Sequence, residues 1–338
     1  MAVIPGISGE WFNYRRLEKY APDCPLRMIN GARGVGKTVR GALDFVEDWR
    51  RGYQTVWVRL FKAHMDSSFV NNFLDAGRRH AGVPDDWVVT QDGVFTSELK
   101  EPDEQPVIFM SMNRAFAHQG NEYSNVMHLI CDEYTVRPGE LYPNQYPAKL
   151  HSLMGTLGRG KDEFRATLYS NWTSISNPIW AAKRIYPGKK DVTAFPDKGC
   201  AIEICRNGYY NQDMPSADSP LGKAMAGLGM IMESEEEDYS FNMIIPQRPA
   251  VTPTKMVLAT ESGNFRHWAG KWNFFEPTVI NPSDWVFTND VRRVGGQVQL
   301  IPSQTHSRLR KELESNTVRF INQPTLYAVM SFLYARYG

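Results

Sequence analysis

The sequence predicts an α/β fold with a mostly parallel sheet over roughly its first half, followed by a second domain in which strands return. Three observations carry this. Apolar runs alternate with helical patterns through the first 180 residues, as strand–helix–strand units require. A glycine-rich turn, Gly31-Ala32-Arg33-Gly34-Val35-Gly36-Lys37-Thr38, stands between an apolar run and a helical pattern. From about residue 186 the composition shifts to Gly, Pro, Asn, Asp and Ser, the residues of connectors.

Taken in order, Leu26–Ile29 reads as the first strand. Val39, Ala42, Leu43, Val46 and Trp49 then recur at helical spacing, and Gly52 follows where a left-handed cap is expected. Thr55–Leu60 is the second strand and Ser68–Arg79 a helix. Val107–Met110, Val126–Cys131 and Ala166–Ser170 are further strands, with a helix over Tyr146–Leu157 before the last. Pro187-Gly188-Lys189-Lys190 and residues 207–222 read as connectors. Within them Ser219-Pro220 suits the start of a short helix that ends near the acidic run Glu233–Asp238. Met256–Thr260, Trp285–Thr288 and Val298–Ile301 read as strands, and a helix lies near Pro324–Arg336. The predicted domains are 1–205, a linker region over 206–238, and 239–338.

The 338 residues carry 38 Lys and Arg against 37 Asp and Glu, a net charge of +1. That balance excludes a strongly basic nucleic-acid-coating protein but leaves room for a local basic channel. Four cysteines are too few for a disulfide scaffold in a chain this long. Cys200 and Cys205 have no second close pair or nearby His to complete a zinc set, so buried thiols are expected. There is no basic segment followed by an apolar one at the N-terminus, and no uncharged apolar run approaches the ~18 residues of a membrane helix. A soluble protein of a reducing compartment is the expectation.

The turn at 31–38 fits the G-x-x-x-x-G-K-[ST] pattern, with a strand before it and a helix after it, as a phosphate-binding P-loop requires. Glycines let backbone N–H groups turn inward around phosphate oxygens, and the helix N-terminus adds positive partial charge. Lys37 neutralises the β and γ phosphates and the Thr38 hydroxyl is a Mg²⁺ ligand. The apolar strand 126–131 ends in Asp132-Glu133, where an acid points into the ligand crevice. Asp132 then holds Mg²⁺, and Glu133 orients and deprotonates an attacking water. Asn171, at another strand end, is placed to sense the γ-phosphate or position that water. Arg159 lies on a loop between Gly158 and Gly160, and reads either as a solvated arginine or as an arginine finger supplied to a neighbouring subunit. The acidic pair favours hydrolysis over the alternative of a small-molecule phosphotransferase, for which no clear arginine-rich lid is present. A guanine-nucleotide switch would carry Asn/Thr-Lys-x-Asp, which is absent.

These residues resemble those of the genome-packaging (encapsidation) ATPases of small short-tailed phages of the Salasvirus type, along almost the whole chain. The likeness is most specific at Gly31–Thr38, at Val58-Arg59-Leu60-Phe61-Lys62, and at Ile130–Glu133. It continues through Leu153–Arg159, Leu168–Asn171, Asn177-Pro178 and Val318–Gln323. The resemblance implies an additional-strand, catalytic-glutamate ATPase domain, a short linker region, and an α+β C-terminal domain with a degenerate nuclease-like (RNase H) fold. It implies a ring, usually a pentamer, on the portal vertex of an empty procapsid, driving double-stranded DNA inward with ATP and Mg²⁺. Whether an adaptor RNA or protein joins it there is left open, and no membrane is involved. Its place is the host cytoplasm during infection, docked transiently on the procapsid and absent from the mature virion.

Carried over by position, Lys37 and Thr38 bind phosphate and Mg²⁺, Asp132 holds the metal, Glu133 is the base and Arg159 acts in trans. Arg59 and Lys62 match basic residues of the second strand, with a trans-acting role or DNA contact. Two departures stand out. A position that can be basic in the family is Gln119 here, with Arg114 and His118 nearby. The N-terminal segment with Trp11, Tyr14, Arg15 and Arg16 is longer than expected and suits contact with a neighbour or the nucleotide base.

Two-metal cleavage needs several converging carboxylates. Of Glu261, Glu276, Asp284, Asp290, Glu312 and Glu314, only Glu261 sits cleanly at a predicted strand end, so nuclease activity is not expected. DNA contact must run through phosphates, since a packaging motor accepts any sequence. The candidate basic clusters are Lys183, Arg184, Lys189 and Lys190, and Arg308, Arg310 and Lys311, with Arg114, Arg292 and Arg293 as single candidates.

Overall fold

The computed structural model describes residues 16–31, 36–96, 105–118, 122–136, 142–171, 177–187, 192–205, 243–270, 272–315 and 317–334. Gln119, Lys189, Lys190, Trp11, Tyr14, Arg15, the expected helix at Ser219-Pro220 and the acidic run Glu233–Asp238 lie outside them. The chain forms two compact units. The first takes the described residues up to Thr135, those of 142–171, and those from Pro187 to Cys205. The second takes Val136, residues 177–186 and those from Met243 onward. Residues 177–186, which the sequence reading kept in the first domain, therefore cluster with the second.

The first unit holds a nine-stranded sheet. In chain order its strands are β1 (Leu26–Gly31), β2 (Gln54–Arg59), β3 (Val88–Val89), β4 (Gly93–Phe95) and β5 (Val107–Ser111). Then come β6 (Val126–Asp132), β7 (Arg165–Ser170), β8 (Val192–Phe195) and β9 (Cys200–Cys205). Their order across the sheet is β3-β4-β5-β2-β6-β7-β1-β9-β8. The six from β5 to β9 run parallel, and only β3, β4 and β8 at the margins are antiparallel. Strands covered on both faces read as continuous apolar runs, and β6 is such a run, with all but one of its residues buried.

Five helices accompany the strands as far as residue 183: α1 (Arg16–Tyr20), α2 (Lys37–Arg50), α3 (Ser67–His80), α4 (Tyr146–Leu157) and α5 (Pro178–Lys183). Phe45 of α2 and Phe73 of α3 meet Trp57 of β2, with ring centroids 6.3 and 4.8 Å away. Gly41 makes this approach feasible: a Cβ there would lie 2.7 Å from the Trp57 ring. The helix carrying Lys37 and Thr38 is thus seated directly on β2. Helix α3 starts at Asp66, whose carboxylate accepts from Phe69 N at 2.9 Å, and Gly52 past α2 has φ +82°.

Strand β9, between the connector stretches at 187–190 and 207–222, is a strand that the sequence pattern did not mark. Cys200–Cys205 is buried along its full length and pairs with β1 from Leu26 to Gly31. All four cysteines are buried.

The second unit holds a six-stranded sheet of order β14-β13-β10-β11-β12-β15. Its strands are β10 (Thr252–Thr260), β11 (Gly263–Ala269), β12 (Asn273–Pro277), β13 (Trp285–Thr288), β14 (Val298–Leu300) and β15 (Val318–Phe320). β10, β11 and β12 form an antiparallel meander, and β13 then β14 add in parallel on the β10 side. That is the arrangement of an RNase H-type, nuclease-like sheet. Helices α6 (Ser303–Glu314) and α7 (Gln323–Tyr334) follow. Helix α5, capped by the Asn177 side chain accepting from Ile179 N at 2.8 Å, belongs to this unit. Just after it, Tyr186 stacks on Tyr327 of α7 with centroids 3.4 Å apart.

Candidate functional site

The site is built where β1, β7 and β6 end side by side. β1 leads out at Gly31, and α2 begins at Lys37. Ala32, Arg33, Gly34 and Val35 lie outside the described residues. Gly36 caps the helix with φ 91°, a left-handed backbone that glycine adopts without strain. The first turn of α2 carries no acidic residue to neutralise its positive end, and Thr38 within it is exposed. Lys37 Nζ donates to Gly31 O at 2.7 Å, folding its ammonium back over the turn.

β7 lies between β1 and β6, pairing Ser170 with Asn30 and Tyr169 with Asp132. The acidic pair therefore stands two strand spacings, ~10 Å, from the end of β1, on the same edge of the sheet. Asp132 is close enough for the Lys37 charge to act on its carboxyl. Burial pushes that carboxyl upward and Glu133 adds to the push, while Arg59 and Lys37 oppose it. Glu133 has φ +57°, in the left-handed region that side chains seldom adopt.

Arg59, last residue of β2, completes the cluster. Its Nη2 donates to Asp132 Oδ2 at 2.6 Å and its Nη1 to Glu133 Oε2 at 3.1 Å. The guanidinium lies 4.6 Å over the Phe69 ring of α3. The resemblance suggested a trans-acting or DNA contact for Arg59. The structure turns it inward, because β2 pairs directly with β6. Lys62 opens a short helical turn just beyond β2 and is exposed on the same edge. Arg114 is exposed in the turn after β5.

Two residues after the acidic pair fix the edge. Tyr134 reaches across β7 and donates to Asn30 Oδ1 at 2.7 Å, and its own N–H bonds Tyr169 O at 3.0 Å. The Thr135 hydroxyl meets Ser170 Oγ and lies 3.4 Å from Asn171 O. Asn171 thus lies just past the end of β7, the strand-end position read from the sequence.

Helix α2 is also tied to the middle of the sheet. Asp48 accepts from His128 Nδ1 at 3.0 Å and from Arg165 at 2.7 Å, while His128 Nε2 takes Thr167 Oγ1 at 2.9 Å. Burial, with the nearby Arg165 charge, holds the His128 pKa below its usual value, against the opposing bond to Asp48. Nothing in the sequence singled out this network or Tyr134: a lone His in an apolar strand carries no signal until the strand order is known.

Arg159 is not brought to this edge. It is exposed in the turn between α4 and β7, a turn whose Lys161 bonds Val126 O at the start of β6, whereas Asp132 ends that strand. Six residues of strand separate the two edges, ~20 Å, so Arg159 cannot reach the phosphate turn of its own chain.

The strand order and the site define a class: a P-loop nucleotide-binding fold with an additional strand between the phosphate-turn strand and the acidic strand. No protein-family model matches the chain, and no curated protein matches it. Its fold does match solved structures. The Phi-28 gp11 DNA packaging motor superposes with a TM-score of 0.66 at 18% identity, covering 97% of this chain and 98% of that one. The viral genome packaging motor assembly of bacteriophage Phi-29 gives 0.63 at 18% identity, covering 94% and 97%. The N-terminal domain of the phi29 DNA packaging ATPase gives 0.50 at 22% identity, covering 57% of this chain and 95% of that one. The fold of this chain, over both units, is the fold of those phage DNA-packaging motor proteins.

Proposed function

We propose that this chain is an ATP-hydrolysing motor that moves double-stranded viral DNA into a procapsid as a ring docked on the portal vertex. The observation that carries the reading is the placement of Lys37 and of Asp132-Glu133 on either side of β7 at one sheet edge, with Arg159 exposed at the other. The folds it shares belong to packaging motors, and that supports the same role here.

ATP is the substrate. The N-terminus of α2, capped by Gly36 and free of acidic side chains in its first turn, suits triphosphate oxygens. The Thr38 hydroxyl and Asp132 carboxylate are hard oxygen donors of the kind Mg²⁺ takes. Bound Mg²⁺ supplies charge neutralisation across the phosphates. Lys37 neutralises the phosphate oxygens, and Glu133 takes a proton from water as its oxygen bonds to the γ-phosphorus and the bond to the ADP oxygen breaks. Arg159 of a neighbouring subunit adds positive charge to that transition state. A small-molecule phosphotransferase would need a lid over a second substrate, and an exposed Arg159 at the far edge favours a neighbour instead.

In the second unit Asp284 accepts both guanidinium nitrogens of Arg266, at 2.7 and 2.8 Å. Glu276 pairs with Arg248, Glu261 with Arg184 and Asp290 with Arg292. Carboxylates already matched to arginines support a domain that docks or contacts nucleic acid rather than one that cleaves it. Of the candidate basic groups, Arg308 and Arg310 are likewise engaged by Glu312 and Glu314 on their own helix.

The test is ATPase rate per subunit against protein concentration, with and without duplex DNA. It should rise as the ring assembles and rise again with DNA; a flat rate, indifferent to both, would overturn the motor reading.

A further inference from the structure

We infer that Lys161 is the positioning residue for Arg159, fastening the exposed turn that presents it to the neighbouring subunit. The inference rests on the reading of Arg159 as trans-acting.

An ammonium has three N–H donors and no acceptor, and Lys161 Nζ spends all three on backbone carbonyls. It donates to Leu157 O at 2.8 Å and to Val126 O at 2.8 Å, and it also reaches Tyr123 O. These acceptors belong to three different places. Leu157 is the last residue of α4, whose final carbonyls have no partner within the helix and form its negative end. Val126 opens β6, and Tyr123 lies in the turn before it. One side chain thus ties the end of α4 to the base of the strand that carries Asp132.

The rest of the turn is shaped to the same end. Gly158 lies against Phe164, where a Cβ would stand 2.7 Å from the ring, and Phe164 is buried. Gly160 has φ +71° with open space around it. Lys161 N donates to Gly158 O at 3.1 Å and Phe164 N to Lys161 O at 3.3 Å. Arg159 is flanked by fixed points on both sides while its own side chain faces solvent. A long arginine that must meet a transition state in another subunit gains from such anchoring, because a misplacement of ~1 Å costs on the order of a hundredfold in rate.

The test uses full-length chains assembled with duplex DNA: wild type, Arg159→Ala, Lys161→Met and the double variant, each titrated with ATP. Lys161→Met should lower kcat on the order of tenfold or more with KM for ATP unchanged, since its own phosphate turn lies at the opposite edge. The double variant should be no slower than Arg159→Ala alone, because a misplaced arginine and a missing one are the same defect. Gly160→Ala, which strains only the tip of the turn, should repeat the pattern and stands in if Lys161→Met does not fold. Lys161→Met at wild-type rate beside an inactive Arg159→Ala overturns this inference alone, as does a double variant slowed by the product of the two single effects. Arg159→Ala at wild-type rate overturns the trans-acting reading and this inference with it.

Discussion

Arg59 donates to Glu133 Oε2 at 3.1 Å through Nη1 while its Nη2 holds Asp132 at 2.6 Å. One guanidinium therefore sets the mutual position of the carboxylate proposed to bind metal and the carboxylate proposed to activate water. It does so at a residue whose backbone, at φ +57°, carries a left-handed cost of about 1 kcal/mol or more. Removing the fork as Arg59→Met should destabilise the first unit by about 3 kcal/mol, because Asp132 is left as a largely buried, unmatched charge. Arg59→Lys should fall between, keeping the charge but not the two-pronged geometry. Urea unfolding midpoints for the two variants check this.

Glu133→Gln keeps the size of the side chain and removes the base. Turnover should drop by about 10²–10⁴-fold, with nucleotide affinity within about twofold of wild type. Single-turnover hydrolysis alongside equilibrium nucleotide titration measures both. Hydrolysis at the wild-type rate would move the base elsewhere.

Arg159→Ala should leave stability within about 0.5 kcal/mol, as for any exposed residue, yet a subunit carrying it should depress activity when mixed with wild type. Mixed with Glu133→Gln, which lacks the base but keeps its arginine, it should regain activity that neither variant has alone, since each mixed contact completes one site.

Gly41→Ala places a methyl 2.7 Å from the Trp57 ring. Helix α2 has to lift off β2, at a cost of about 1–3 kcal/mol. Lys37 and Thr38 ride on that helix, so nucleotide affinity should weaken together with Tm. Thermal melts and nucleotide titration test the linkage, and loss of stability with unaltered affinity would refute it.

His267 gives the second unit a pH dependence of defined sign. Burial holds its pKa down to about 4, against the opposing bond to Asn273. The unfolded chain takes up a proton near 6.5 and the fold does not, so the stability contribution is complete above pH 6.5 and is lost as pH falls toward 4. At ~1.36 kcal/mol per pH unit the total is about 3 kcal/mol. Urea midpoints at pH 7 and 4.5 should differ less in His267→Gln than in wild type.

Much of this architecture was legible in the residues. Helix α4 spans Tyr146–Leu157 and β13 spans Trp285–Thr288, with the bounds that periodicity predicts, and β1, β2, β5, β6 and β7 lie within two residues of theirs. β9 was hidden because it is six residues long, includes Glu203, and lies between the connector stretches 187–190 and 207–222, which drew that part of the chain away from a strand reading. Lys37, Asp132 and Glu133 were readable from local motif and strand-end position. The engagement of Arg59 was not, because it follows from β2 lying next to β6, a fact of pairing that no single segment encodes. Tyr134 escaped for the same reason: its partner Asn30 sits across an intervening strand.

On the proposed trans action of Arg159, its opposition to Glu133 across the sheet gives each molecule a giving end and a receiving end. Head-to-tail association is the geometry that joins them, and only by closing into a cycle does it leave no terminal member short of a complement. An open row always strands one centre, so the number of competent centres equals the number of subunits only when the circle is complete.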